Sequence, residues 1–264
     1  MASPNVWSNG LAGTGIDLAT LTGDYFSGSV YWVDTVNGLD ANAGTERELP
    51  KQTLASAHTA ASAGDIIVIE ASSAESLSAA QTFSKADLTV IGLGSGSTRP
   101  RYTCTGAVAM FDVTAAGVKF FNLYFPASTA AATARISTAA AETWVSDCYF
   151  ECGASDTNQA VRVAASGHNA TIQNTTFAVT ASRPAIGLAV TGAVTDTKVL
   201  SCTFDGGSYG WTDYALKVSA AATRMHFKSL SFTGRSDLGV TASATTYKMY
   251  GVTFTGSGRA VITA

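Results

Sequence analysis

The chain has 264 residues, of which 46% are apolar and only 13% are charged, and its formal net charge is -3. This balance excludes a disordered chain, and without a basic stripe it gives no electrostatic reason to bind nucleic acid or an anionic membrane. No stretch approaches 18 consecutive apolar residues, and the start from Met1 to Asn5 lacks the pattern of a signal peptide. We therefore expect a sheet-rich globular protein that is neither membrane-spanning nor secreted by a signal peptide.

Residues 1–30 contain no repeat and much Gly, Thr and Ser. Apolar residues are scattered through this segment, at Val6, Trp7, Leu11, Ile16, Leu18, Leu21, Tyr25 and Phe26. An isolated arm of this kind would be floppy, so either the rest of the chain or a partner must order it. We predict a partner-binding arm over residues 1–30 and a single domain over residues 31–264.

A strand, a loop and a short helix are predicted directly after the arm. The strand begins at Tyr31, and a loop from Asn37 to Gly44 follows it. Helix-like spacing of apolar residues predicts a helix between Gln52 and Ala63. Gly64 and Asp65 then turn into an apolar strand, Ile66 to Ile69.

A short phrase ending in Phe occurs six times between Phe120 and the end of the chain. The copies run from Phe120 to Phe125, Val145 to Phe150, Ile172 to Phe177, Val199 to Phe204, Phe227 to Phe232 and Met249 to Phe254. The residue three before the terminal Phe is Asn, Asp, Ser or Gly, residue types that tolerate a left-handed backbone. A bend is therefore predicted at this position, and a period of 22 to 28 residues is typical of stacked coils.

A second strand follows each copy of the phrase. These strands are predicted at Ala134 to Ser137, Ala160 to Val163, Ile186 to Val190, Ala215 to Val218, Leu238 to Thr241 and Ala260 to Thr263. Equivalent side chains of successive coils would stack about 4.8 Å apart and form one continuous core. We predict an all-β protein, a right-handed parallel β-helix. The competing fold is a β-propeller, whose blades need about 40 to 50 residues each, nearly twice this period.

Metal, cofactor and disulfide sites are not predicted. Cys148 and Cys202 occupy one column two coils apart, about 9.6 Å, which is too far for a disulfide. We expect these two cysteines, with Cys104 and Cys152, to be reduced and buried. The three histidines have no ligand-like spacing, and Asp40 is the only carboxylate in the loop from Asn37 to Gly44, so this loop is interpreted as a plain turn.

Two carboxylates are the candidate catalytic residues. Glu151 and Asp205 each follow the terminal Phe of their copy, with Ala178 in the same column between them. Two coils would separate them by about 9.6 Å at the Cα atoms, near the upper end of the carboxyl spacing in inverting glycosidases. Asp156 and Asp213 could flank the same side. The alternative is that Glu151 and Asp205 are ordinary polar residues at the solvent-facing end of a strand.

Three aromatic residues near these carboxylates are candidates for binding a sugar. Tyr209, Trp211 and Tyr214 lie in one loop and could stack on sugar rings. The alternative is that they cover the flank of the coils.

The region from Tyr31 onward resembles a known family of β-helix proteins. In chain order it contains a strand, the loop Asn37-Gly38-Leu39-Asp40, Pro50, a short helix, Gly64-Asp65, an apolar strand and the residues from Leu88 to Gly92. This series is similar to the N-terminal cap and first coils of pectin-lyase-like proteins, especially those in bacteriophage particles. The resemblance covers roughly residues 31 to 264. It implies that the helix plugs the open end of the coils and that the protein is a trimer, but a fold does not choose a function.

Three classes of function fit this resemblance. The first is a tail spike that cleaves polysaccharide, and the second is a structural virion protein that decorates or cements a capsid by binding the major capsid protein. The third is a glycan-binding module of a tail. Because carboxylates are few and the arm needs a partner, we predict a non-enzymatic protein on the virion surface, assembled in the host cytoplasm. The alternative is a tail spike or tail fibre that binds or cleaves host polysaccharide.

Overall fold

The computed structural model describes residues 28–127, 133–153, 159–181, 184, 186–218, 222–241, 246–257 and 260–263. The apolar residues of the predicted arm, from Val6 to Phe26, lie outside this range, as does Asp156. The first strand begins at Val30, whose neighbour Ser29 donates its backbone N–H to Asp65 Oδ1 over 2.6 Å. The folded body therefore includes residues 28–30, which the sequence had placed in the arm.

Three parallel sheets, here called A, B and C, run along the length of this described part. Sheet A contains nine described strands: Val30–Val33, Ile66–Ile69, Thr89–Gly92, Lys119–Phe121, Trp144–Ser146, Thr171–Gln173, Lys198–Leu200, Met225–Lys228 and Tyr247–Tyr250. Sheet B contains eight: Ala74–Leu77, Arg101–Cys104, Tyr124–Phe125, Tyr149–Cys152, Thr176–Val179, Thr203–Asp205, Ser231–Gly234 and Thr253–Gly256. Sheet C contains eight: Gln81–Phe83, Ala109–Val113, Ala134–Thr138, Gln159–Val163, Ile186–Val190, Leu216–Val218, Leu238–Thr241 and Ala260–Thr263.

Each coil passes through sheets A, B and C in turn, and each strand pairs with the equivalent strand of the next coil. Phe150, for example, is in register with Phe125 on one side and Phe177 on the other. The predicted right-handed parallel β-helix is confirmed. The strands predicted after each phrase are those of sheet C, with ends that differ by one residue at most.

The bend within each phrase lies between sheets A and B. Its residues are Asn122, Asp147, Asn174, Ser201, Ser229 and Gly251, and their φ angles lie between 47° and 61°. The predicted left-handed backbone is therefore present in all six copies. Asn122 adds two side-chain bonds, donating from Nδ2 to the carbonyl oxygens of Gly92 and Gly94, both over 2.8 Å.

The terminal Phe residues of the six phrases form a continuous ladder inside the coils. Their rings stack in the order Phe125, Phe150, Phe177, Phe204, Phe232 and Phe254. Neighbouring ring centroids are 4.6 to 5.2 Å apart, with interplanar angles of 4° to 16°. All except Phe254 are fully buried. Each ring covers the next, so no coil could bury its own Phe alone.

Helix α1, Leu54–Ala60, closes the N-terminal end of this core, and Leu54 and Ala57 are fully buried. It is shorter than the predicted span because its flanking residues, Thr53 and Ala61, both have an extended backbone. Asp40 Oδ1 accepts the backbone N–H groups of Gln52 and Thr53 over 3.0 and 2.9 Å, which keeps them outside the helix. At the other end, the Lys85 ammonium donates to carbonyl oxygens of the last turn, a favourable position for a cation.

The only other helix in the described ranges is a 3₁₀ turn, Gly96–Thr98. No helix in this part of the chain is long and apolar enough to span a membrane.

Candidate functional site

The two candidate catalytic carboxylates lie in one column of sheet B. Glu151 pairs with Ala178, and Ala178 pairs with Asp205. The predicted register is therefore correct, and two strand spacings place the Cα atoms about 9.6 Å apart. Both side chains are partly exposed.

Both carboxylates accept hydrogen bonds from neighbouring groups. Asp205 Oδ1 accepts the backbone N–H of Gly207 over 3.0 Å and the hydroxyl of Thr233 over 2.9 Å. Glu151 is hydrogen-bonded to the Tyr124 hydroxyl, and its Oε2 lies 3.5 Å from the backbone nitrogen of Ala127. These contacts hold a turn and a neighbouring side chain in place, as expected of polar residues at a strand end.

The acids that could flank this column do not form a cluster with it. Asp213 is bonded to the Lys217 ammonium four residues later, and Asp156 lies outside the described residues. Among the described residues, no group of three or more His, Cys, Asp or Glu could hold a metal ion. Asp40, the only carboxylate of the predicted turn, supports the start of α1.

The aromatic loop divides into one buried and two accessible rings. Trp211 is only 7% exposed, and its Nε1 donates to Ser236 Oγ over 3.1 Å. It packs in the core, which favours the alternative that Trp211 covers the flank of the coils. Tyr209 is 48% exposed, while Tyr214 is partly exposed with the Lys217 ammonium 5.8 Å from its ring centroid. Only these two could contact a glycan.

The four cysteines are buried and none is in a disulfide. Burial raises the pKa of the Cys148 and Cys202 thiols to about 12, because a thiolate away from water is disfavoured. Both thiols donate weak hydrogen bonds to carbonyl oxygens two residues earlier in the chain, those of Ser146 and Leu200. They are inert core residues rather than nucleophiles.

A pocket that the sequence did not predict lies on the outer side of sheet B. It has a volume of about 240 Å³ and is lined by Gly96, Ser97, Arg99, Arg101, Tyr124 and Tyr149. Arg101 pairs with Tyr124, and Tyr124 pairs with Tyr149, so these three residues form one outward column over three successive coils. We call this the Arg–Tyr pocket.

Ring and guanidinium contacts arrange the walls of the Arg–Tyr pocket. The Arg101 guanidinium carbon lies 5.3 Å from the Tyr124 ring centroid, and the Tyr124 and Tyr149 rings meet edge to face at 5.6 Å. Arg101 also donates from Nη2 to the Ser97 carbonyl over 2.7 Å, which fixes the 3₁₀ turn beside it. Burial, followed by the Glu151 hydrogen bond, raises the pKa of the Tyr124 hydroxyl, which therefore stays protonated and donates to Glu151.

This pocket carries no sequence motif because its residues come from three coils and one turn. A weak signal was nevertheless present. Tyr124 and Tyr149 occupy the outward position before the terminal Phe, where the later coils have Thr176, Thr203 and Ser231. Two aromatic residues in an exposed column of small polar residues marked this end of sheet B.

No family model and no curated protein matches the chain. Three similar solved structures are a rhamnogalacturonan lyase, the pectate lyase Pel9A and the PL6 family alginate lyase AlyGC. Their TM-scores are 0.45, 0.45 and 0.37, at 13%, 10% and 14% sequence identity. The matches cover 90%, 87% and 90% of this chain, and 65%, 81% and 40% of the respective neighbours. The chain thus spans just under two thirds of the rhamnogalacturonan lyase.

Proposed function

We propose that the protein is a non-enzymatic structural component of a bacteriophage particle, displayed on the virion surface as a capsid decoration or stabilising protein. The non-enzymatic part of this proposal rests on the hydrogen bonding of Glu151 and Asp205. Each is bonded to neighbouring groups that it holds in place, and Ala178 between them offers no chemistry. A rigid stacked core without a catalytic cluster in its described part suits a protein whose task is mechanical.

The partners in this proposal are the major capsid protein and two further copies of the same chain. A trimer of parallel β-helices side by side, assembled in the host cytoplasm and attached through residues 1–27, is the arrangement proposed. Its support is the resemblance of the N-terminal cap to virion proteins together with the apolar residues scattered through the arm.

Immunogold electron microscopy of intact source particles tests this location, using an antibody raised against the folded body. Gold over the head is the expected result, with particles that lack the protein as the control for background. Gold at the tail would overturn capsid decoration, and particles without gold would show that the protein is not on the virion surface.

A tail spike or tail fibre that binds host polysaccharide is the second candidate function. The Arg–Tyr pocket favours it over decoration, because decoration requires no cavity lined by cations and aromatic rings. Binding to host cells by the purified protein distinguishes the two candidates, since a decoration protein would bind cells no better than an unrelated β-helix.

A further inference from the structure

We propose that the Arg–Tyr pocket binds a carboxylate carried on a six-membered ring. This goes beyond a structural role and does not depend on where the protein sits in a particle. The shared chemistry is an anionic head on a six-membered ring with an apolar face, which either an aromatic acid or an acidic sugar residue supplies.

Arg99 provides the first reason to place an anion in the pocket. Among the described residues, its Nε is buried and has no hydrogen-bond partner. A donor without a partner is unfavourable, so an anion placed at the Arg99 guanidinium recovers free energy on binding. A carboxylate matches the guanidinium fork with two parallel bonds.

Arg101 brings a second positive charge to the same cavity. One of its N–H groups is used by the Ser97 carbonyl, and a guanidinium has five. Its stacking on Tyr124 and its bond to Ser97 hold the group in place before any ligand arrives. Less side-chain freedom is then lost when the anion binds.

The neighbouring Glu151 limits the ligand to a single negative charge. Its carboxylate bonds to Tyr124, one of the pocket walls, so it lies next to the anion site. Asp205 also acts on the Tyr149 wall, so two carboxylates stand near the two arginines. A monocarboxylate adds the least negative charge beside them, whereas a dianion such as sulfate would bring a second charge towards Glu151 and Asp205.

The tyrosine rings and the volume determine the rest of the ligand. Tyr124 and Tyr149 present two ring surfaces at an interplanar angle of 66°. Their apolar bodies suit a ring with an apolar face, since aromatic side chains bind through such surfaces. The cavity of about 240 Å³ is smaller than the roughly 300 to 1,000 Å³ of pockets for drug-sized molecules, which limits the group to one ring.

Titration calorimetry of the purified full chain tests the proposal with matched acid and neutral probes. The pairs are benzoate with benzamide, and methyl glucuronide with methyl glucoside. We expect saturable binding of at least one acid and affinity lower by about tenfold or more for its neutral partner, equivalent to about 1.4 kcal/mol. Binding of benzoate alone identifies an aromatic acid, and binding of the glucuronide alone identifies an acidic sugar.

Three variants connect any binding to this pocket. Arg99→Gln and Arg101→Gln should each weaken acid binding by about tenfold or more. Arg162→Gln removes an exposed arginine of sheet C and should leave it unchanged. Arg101 is itself exposed on its strand, so its variant keeps the test valid should Arg99→Gln fail to fold. Any one of four results would overturn the proposal. On the binding side, these are equal affinity for the acid and neutral probes, affinity for inorganic sulfate equal to that for the acid probe, and absence of saturable binding. The fourth is an equal effect of Arg101→Gln and Arg162→Gln on acid binding.

Discussion

The carboxylate of Glu75 accepts a hydrogen bond from the backbone N–H of Leu54, with 3.2 Å between oxygen and nitrogen. Glu75 is in register with the buried Tyr102, whose ring lies 6.5 Å from that of Phe125, the first member of the Phe ladder. The inward column of sheet B therefore begins with a carboxylate, and the next residues in it, Tyr102 and Phe125, are aromatic. The Glu75 carboxylate holds the start of α1. Because the Glu75 carboxylate is largely removed from water, the stability of the cap depends on pH.

Glu75→Gln is expected to raise the free energy of unfolding at pH 7. Burial raises the pKa of Glu75 above its ordinary value of 4.5, since a charged carboxylate loses hydration inside the protein. The native state then binds the proton more tightly than the unfolded state, so stability falls as the pH rises from 4.5 through the native pKa. Gln keeps an oxygen for Leu54 and carries no charge.

Urea unfolding of both proteins between about pH 4 and pH 8 measures this difference. The gain from Glu75→Gln should shrink towards the acid end, where Glu75 is protonated in both states. A difference that is independent of pH would contradict the assignment to Glu75, because titration of every other group cancels between the two proteins.

Phe177→Ala should destabilise the protein by about 3 to 5 kcal/mol, because it removes a fully buried ring from the middle of the ladder. Phe254→Ala is the matched control at the last described coil, where the ring is only partly buried and stacks on Phe232. Its cost should be clearly smaller. Equal losses in chemical denaturation would mean that the ladder does not hold the coils together.

Replacing two bend residues by Gly should have opposite consequences. Ser201 has φ 52° and an exposed side chain, so Ser201→Gly relieves backbone strain and should be neutral or stabilising by up to about 1 kcal/mol. Asn122 has φ 56°, but Asn122→Gly also loses the two bonds to Gly92 and Gly94, which should cost about 1 to 3 kcal/mol. Thermal unfolding of the pair separates backbone strain from side-chain bonding, and equal shifts would assign no stabilisation to the Asn122 bonds.

The purified protein is expected to cleave neither acidic nor neutral polysaccharides. Glu151 and Asp205 each hold neighbouring groups, and no acid cluster occurs in the described residues. Reducing-end release and absorbance of unsaturated products over several hours are the measurements. Cleavage by the parent that Glu151→Gln or Asp205→Asn abolishes would instead establish a polysaccharide-degrading enzyme.

Deleting residues 1–27 should leave a folded body that no longer joins the particle. The deletion ends before Ser29, whose bond to Asp65 and position next to Val30 belong to the first strand. Circular dichroism checks the fold, and immunoblotting of purified particles measures incorporation. Unchanged incorporation would show that the arm does not attach the protein to the particle.

The residues of each coil were sufficient to predict the backbone. Apolar residues such as Val145 and Cys148 had to face inward, and Asp147 between them could adopt a left-handed φ, because both preferences act within a few residues. The same repetition placed Glu151, Ala178 and Asp205 in one column, since parallel coils of similar length stack in register. Local chemistry repeated along the chain thus determined the β-helix and its register.

Only the tertiary structure decided which side chains meet across coils and what surrounds them. Arg99 and Tyr149 are 50 positions apart, yet they line one cavity because stacking brings successive coils within about 5 Å. Trp211 is buried through its contact with Ser236 of the next coil, which no pattern in its own loop indicates. Burial, hydrogen-bond partners and cavities depend on neighbours in space, so the Arg–Tyr pocket emerged only when the coils were stacked.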